Sequence, residues 1–182
     1  FHNDFYFDII HKVIYLENNI NIDSSIYTKD SYVYLQDGWK FQGNGNEIHI
    51  DGIDNWTGLI RCNKTFNHVI ENVAIINGKT DEYCGYILHK EQENVSIYSC
   101  YVENGVIGEY GGGLVGAYSG TFGNFINIYQ CYFNGSLEKY SGGLVGAYSG
   151  TRGNIKIENS YVIIKPDGIS PFSGGVIGSH SS

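Results

Sequence analysis

Ser141-Gly-Gly-Leu-Val-Gly-Ala-Tyr-Ser-Gly-Thr151 restates Gly112-Gly-Leu-Val-Gly-Ala-Tyr-Ser-Gly-Thr121 almost letter for letter. Weaker copies flank the pair at Gly58-Leu59-Ile60, Gly85-Tyr86-Ile87-Leu88 and Gly175-Val176-Ile177-Gly178. Aligned on Gly58, Gly85, Gly113, Gly143 and Gly175, the five copies are spaced by 27, 28, 30 and 32 residues. A second marker keeps the same rhythm: Ile70 to Ile75, Ile97 to Val102, Ile128 to Phe133 and Ile157 to Val162. Two markers in phase identify a repeat protein in which each unit buries its apolar face on its neighbours.

The repeat is built of strands. Ile126-Asn127-Ile128 and Ile155-Lys156-Ile157 alternate apolar with polar residues, and glycine interrupts every stretch long enough for a helix. Short strands stacked about 4.8 Å apart give a parallel β-helix with Ile, Leu and Val filling a narrow interior. About three strands per turn account for a repeat of this length. The expected fold class is therefore all-β, a parallel β-helix of about five turns with an N-terminal cap.

The reading gives one domain over residues 1–182, with the cap and first strands in 1–46 and the repeat turns in 47–182. Within the first part, Phe1 to Asn19 carries a mixed apolar pattern that fits either a short amphipathic helix or an edge strand. Strands follow at Ile20 to Ile22, Tyr32 to Leu35 and Ile48 to Ile50. Gly38 and Gly43-Asn44-Gly45-Asn46 supply the positive φ that sharp corners require. The chain holds no Met, and its last turn stops at Gly178-Ser179-His180-Ser181-Ser182 without a polar cap. These features are those expected of a piece of a longer polypeptide.

Composition excludes several classes. A net charge of −8 with only 11 scattered Lys and Arg leaves no basic stripe for nucleic acid. No apolar run approaches the roughly 20 residues needed to insert across a bilayer. Four cysteines form no C-x-x-C pair, the glycine blocks lack the Gly-Lys-Ser/Thr of phosphate loops, and no calcium-type repeat is present, so neither metal nor cofactor is expected. Cys100 and Cys131 occupy one slot on consecutive turns, after Val73 and before Ser160, and read as a core thiol ladder. Sequons occur at Asn55, Asn63, Asn94 and Asn134.

Candidate binding residues follow from the alignment. Five residues after each aligned glycine stand Asn63, Lys90, Tyr118, Tyr148 and His180. A second outward column holds Ala74, Tyr101, Tyr132 and Tyr161. Tyr101, Tyr132, Tyr161, Tyr118 and Tyr148 are the candidate binding residues, because stacked tyrosines make an amphipathic surface suited to a sugar or a protein; as cross-strand pairs they also stabilise a sheet. Asn72, Ser99, Gln130 and Asn159 form a polar corner series of asparagine-ladder type. Gly113, Gly116, Ala117, Gly143, Gly146 and Ala147 offer a smooth face for self-association. An enzyme needs carboxylates converging on a groove. The strongest acidic group is Asp51, Asp54, Asp81 and Glu82, with Lys79, Arg61 and His68 as neighbours, and no catalytic residue is assigned.

The block Gly142 to Gly146, followed by Asn159-Ser160-Tyr161, together with Trp56 to Ile60, resembles the GLUG-type repeats of bacterial surface proteins. It is also similar to the right-handed pectin-lyase-like β-helices of large DNA virus proteins. The resemblance covers about Gly43 onward and, with crossover chirality, implies a right-handed solenoid. It implies a structural or adhesive module of a virion or cell surface, a glycan or host-surface receptor as partner, and a homotrimer. Polysaccharide lyases and glycoside hydrolases share the scaffold and give the alternative function.

Overall fold

The computed structural model describes residues 4–181; Phe1 to Asn3 of the expected cap and the terminal Ser182 lie outside the described residues. β-Branched and aromatic residues alternate with polar ones in short runs, which suits half-buried strands, and fifteen strands form among the described residues. Two sheets carry most of them. The first contains β1 (Phe5–Asp8), β2 (Val13–Leu16), β5 (Lys40–Gln42), β8 (His68–Glu71), β10 (Val95–Tyr98), β12 (Phe125–Tyr129) and β14 (Asn154–Glu158), in that order. The second contains β3 (Ile20–Asn21), β6 (Glu47–His49), β9 (Ala74–Ile76), β11 (Tyr101–Ile107), β13 (Tyr132–Leu137) and β15 (Tyr161–Ile169).

The third face is thinner. Only β4 (Val33–Leu35) and β7 (Ile60–Cys62) pair there as strands, and single parallel bridges continue the stack through Ile60, Leu88, Val115, Val145 and Ile177. The passes β2–β4 and β5–β7 thus have three strands, and from β8 onward each turn has two regular strands and one bridged segment. Except for β1, every strand pair is parallel. The result is a parallel β-solenoid of about five turns, stacked on a less regular first pass.

Three inward columns fill the interior, the one on the third face being Ile60, Leu88, Val115, Val145 and Ile177. Ile14, Phe41, Ile70, Ile97, Ile128 and Ile157 line the first sheet, and Ile20, Ile48, Ile75, Val102, Phe133 and Val162 line the second. Each fully buried Ile or Val contributes about 1.5–3 kcal/mol relative to an exposed one. Two large side chains are accommodated by glycines. Tyr86 and Phe133 are fully buried with ring centroids 6.3 Å apart. A Cβ on Gly105 would lie 2.8 Å from the Tyr86 ring, and one on Gly113 would meet Phe133 and the carbonyl of Gly143.

Unequal repeat lengths are absorbed by bulges. Asn104 is an extra residue in β11 with φ 56°, and the residues between Ile164 and Ile169 bulge from β15 opposite Ser136. At the N-terminus the edge-strand reading holds and the helix does not form. β1 pairs antiparallel with β2, and Phe5 packs edge-on against Phe41 at 6.3 Å. The thiol column is also as expected. Cys100 and Cys131 are free and fully buried, Cys100 N–H lies 3.4 Å from Cys131 Sγ, and Cys131 N–H donates to Ser160 Oγ at 3.1 Å.

Candidate tyrosine platform

A corner that turns the chain between faces needs a left-handed residue, and the solenoid fills its corners in two ways. Between the two main sheets, Asn72, Ser99, Gln130 and Asn159 take φ from 50° to 55°. Asn tolerates this conformation well. These residues are structural through their backbone; their side chains do not form the expected amide ladder along the stack. Asn72 Nδ2 instead donates a hydrogen bond to Gln42 Oε1 at 3.1 Å.

The third face fills its corners with rings. Tyr83, Tyr110, Tyr140 and Phe172 have φ of 63°, 60°, 61° and 63°, and Tyr118, Tyr148 and His180 have 58° each. Holding a bulky residue in this region costs about 1–2 kcal/mol. Strain of this kind is a feature of functional sites, and stacking offsets part of it here.

Two rows result. In one, Tyr83, Tyr110, Tyr140 and Phe172 stack with centroid spacings of 4.8, 4.9 and 5.4 Å. In the other, Tyr118, Tyr148 and His180 stack at 5.0 Å per step. The rows touch laterally, Tyr83 with Tyr118 at 5.9 Å and Tyr110 with Tyr148 at 6.0 Å. Among the described residues, none of the hydroxyls of Tyr83, Tyr110, Tyr118, Tyr140 and Tyr148 has a hydrogen-bond partner within the protein. Desolvation, then neighbouring phenols, raise the pKa of Tyr110; desolvation and then Tyr83 raise that of Tyr118. These two hydroxyls therefore stay protonated donors at neutral pH.

The column of Tyr101, Tyr132 and Tyr161 also stacks, at 5.0 and 5.1 Å. Its chemistry is different. Tyr132 donates to Glu103 Oε1 at 2.8 Å while Asn134 donates to Glu103 Oε2 at 2.8 Å. Burial, and then Glu103, raise the Tyr132 phenol. Tyr101 is likewise raised, by desolvation and then by Glu47 and Glu103. Within that column Tyr132 is tied to Glu103, whereas the corner rows leave all of their phenol hydroxyls without a partner among the described residues. A further stack, Tyr98 on Tyr129 at 5.0 Å with Lys156 over Tyr129, lies on the first sheet.

No protein-family model matches the chain, no curated protein matches its sequence, and no solved structure matches it.

Several sequence expectations need correction. Bridges pair Gly85 with Gly112, Gly112 with Gly142, and Gly142 with Gly174, so the alignment through Gly113, Gly143 and Gly175 was one residue out of step with Gly85. Glu91, not Lys90, therefore precedes Tyr118 in its row: Glu91 N–H donates to Ala117 O as Tyr118 N–H donates to Ala147 O. Asn63 instead turns the chain toward β8, its carbonyl 2.9 Å from His68 Nε2. With the register corrected, Tyr83, Tyr110, Tyr140 and Phe172 stand two residues before each stacked glycine. That regularity is the signal by which the first row could have been found.

The small-residue face is not a face. Gly113, Gly116, Ala117, Gly143, Gly146 and Ala147 are all buried. The preceding corner folds over them, with Ala117 N–H donating to Tyr83 O at 2.7 Å and Ala147 N–H to Tyr110 O at 2.9 Å.

The acidic group does not converge either. Asp81 pairs with Lys29, Asp51 accepts from Asn77 at 2.6 Å, and Asp54 and Glu82 are exposed. Lys79 pairs with Glu138 at 2.6 Å, and His68 is buried between two backbone carbonyls. No cluster of three or more His, Cys, Asp or Glu suited to a metal occurs among the described residues. Of the sequons, Asn94 and Asn134 have their amides engaged by Lys64 O, Asn124 and Glu103, while Asn55 is exposed. No helix among the described residues is long and apolar enough to cross a membrane.

Proposed function

We propose that this chain is a non-enzymatic adhesive module, a rigid β-solenoid that holds the two corner rows of rings for contact with a linear glycan at a cell or virion surface. One observation carries the reading: five tyrosines occupy strained left-handed corners, in register, with hydroxyls that serve no internal bond. Structural need alone is met at the neighbouring corner by Asn, Ser and Gln, also left-handed at φ of 50° to 55°.

Spacing supports an extended ligand. Hydroxyls repeating at the solenoid pitch address a polymer with a repeating unit, and many weak contacts along one chain raise the effective concentration of each other. The likeness to GLUG-type and pectin-lyase-like surface proteins agrees with export to a surface, and a trimer would multiply the same contacts.

The test is affinity electrophoresis of the protein through gels cast with linear polysaccharides, followed by chain-length analysis of each polymer. Retardation that Tyr110→Ala with Tyr148→Ala abolishes, without shortening of the polymer, is the expected result. Shortened chains would replace the reading with the lyase or hydrolase alternative, and no retardation on any polymer would remove it.

A further inference from the structure

The stacking of the rows decides what they can recognise. Parallel rings 4.8 to 5.0 Å apart leave no room for a sugar between them, since inserting a ring needs roughly twice the 3.5–4.0 Å carbon contact distance. Ring faces inside the rows are therefore closed. What the corner presents is ring edges, which are the electropositive rim of the aromatic quadrupole, and phenolic O–H donors. Both favour electron-rich acceptors.

Cations stand at the first ring. Lys90 Nζ lies 5.7 Å from the centroid of Tyr83. The bridge between Ile60 and Leu88 sets Arg61 beside His89, which adjoins Lys90. Both charges act on Cys84, the residue after Tyr83. Arg61 rests on the Tyr32 ring at 4.0 Å, and its buried Nε has no hydrogen-bond partner. Among the described residues, neither Arg61 nor Lys90 forms an ion pair, although the chain has 19 carboxylate side chains against 11 Lys and Arg. Asp81, the nearby acid, is held by Lys29. Two carboxylates border the rows, Glu91 acting on Tyr118 and Glu109 on Tyr110.

We infer that the platform is an oxyanion-reading surface, taking a linear glycan that bears carboxylate or sulfate groups, with one anion seated at Arg61 and Lys90 and later ones on the row of phenols. This rests on the glycan-binding reading above. Charge-assisted bonds from guanidinium and ammonium to an oxyanion are the strongest contacts available here, while Glu91 and Glu109 oppose the same ligand.

The experiment compares retardation in gels containing polymannuronate, dextran sulfate or unmodified dextran. The charged polymers should retard the protein and dextran should not; which of the two charged polymers acts identifies the oxyanion. Lys90→Gln should weaken retardation roughly tenfold, the loss of one charge-assisted bond. Arg61→Gln should do the same, and Glu91→Gln with Glu109→Gln should strengthen it. Urea midpoints establish that each variant is folded, and Lys90→Gln stands alone if Arg61→Gln is not. Equal retardation by dextran, or indifference to Lys90→Gln, overturns the oxyanion inference while leaving glycan binding intact. Retardation by none of the polymers overturns both.

Discussion

Tyr110 and Tyr148 belong to different rows, yet their rings meet at 6.0 Å with planes 25° apart, and this lateral contact joins the rows into one surface. Tyr110 also stacks on Tyr83 and Tyr140, and Tyr148 on Tyr118 and His180. The surface is therefore as rigid as the coil beneath it.

Left-handed backbone at Tyr148 makes an unusual mutational order. Tyr148→Gly and Tyr148→Asn relieve strain of about 1–2 kcal/mol while losing stacking of similar size. Both should change stability little. Tyr148→Ala keeps the strain and loses the stacking, so it should be about 1 kcal/mol less stable than Tyr148→Gly. Urea unfolding of the three variants checks the order, and an Ala variant as stable as the Gly one would mean φ is not positive there.

Glycine at 113 is required by packing rather than by φ. A methyl group at this position collides with the carbonyl of Gly143 in the next coil and with the buried Phe133 ring. Gly113→Ala should cost about 1–3 kcal/mol or more, as overpacking does. Gly45→Ala is the contrast, with φ +78° and open space around its Cβ, and should show only the conformational penalty.

His68 links consecutive coils. It is 1% exposed, and both ring nitrogens face backbone carbonyls, Trp39 O and Asn63 O, each at 2.9 Å. His68→Leu should lose about 1–3 kcal/mol by removing the ring N–H that one of these carbonyls accepts. A urea midpoint equal to wild type would show that water reaches those carbonyls.

Burial sets an alkaline limit on stability. It pushes the Cys62 thiol up to about 12 and, with Asp81 adding to burial, the Cys84 thiol up to about 11, from an ordinary value of 9.0. The unfolded chain loses these protons first as pH rises. The contribution is thus whole below pH 9 and is lost progressively toward pH 11 for Cys84 and pH 12 for Cys62. Each group contributes a slope of about 1.4 kcal/mol per pH unit within its window. Urea midpoints at pH 8 and 10.5 should fall accordingly, and Cys62→Ala should shrink the fall.

Much of this was readable from residues alone. The period, the strands, the Cys100 and Cys131 slot and the stacked Tyr101, Tyr132 and Tyr161 followed from alternation and spacing. The register on the third face did not. Gly111-Gly112-Gly113 and Gly142-Gly143 can be aligned in more than one way, and glycine carries no side chain to fix the choice. Tyr86, at the position of Gly113, disguised the match further. The burial of Ala117 and Ala147 depends on the corners at Tyr83 and Tyr110, 34 and 37 residues earlier, a contact no local pattern records. The same slip hid Tyr83, which comes level with Tyr110 and Tyr140 only once Gly85 is set against Gly112.

The central claim is that free phenolic hydroxyls at the corner do the binding. Replacing Tyr83, Tyr110, Tyr118, Tyr140 and Tyr148 together by Phe removes those hydroxyls while keeping every ring stack. Retardation of this variant in the polysaccharide gel that holds the wild-type protein is the most direct test. The account predicts that retardation is lost while the urea midpoint is unchanged. Undiminished retardation of the folded variant would contradict it and leave the rows as scaffolding.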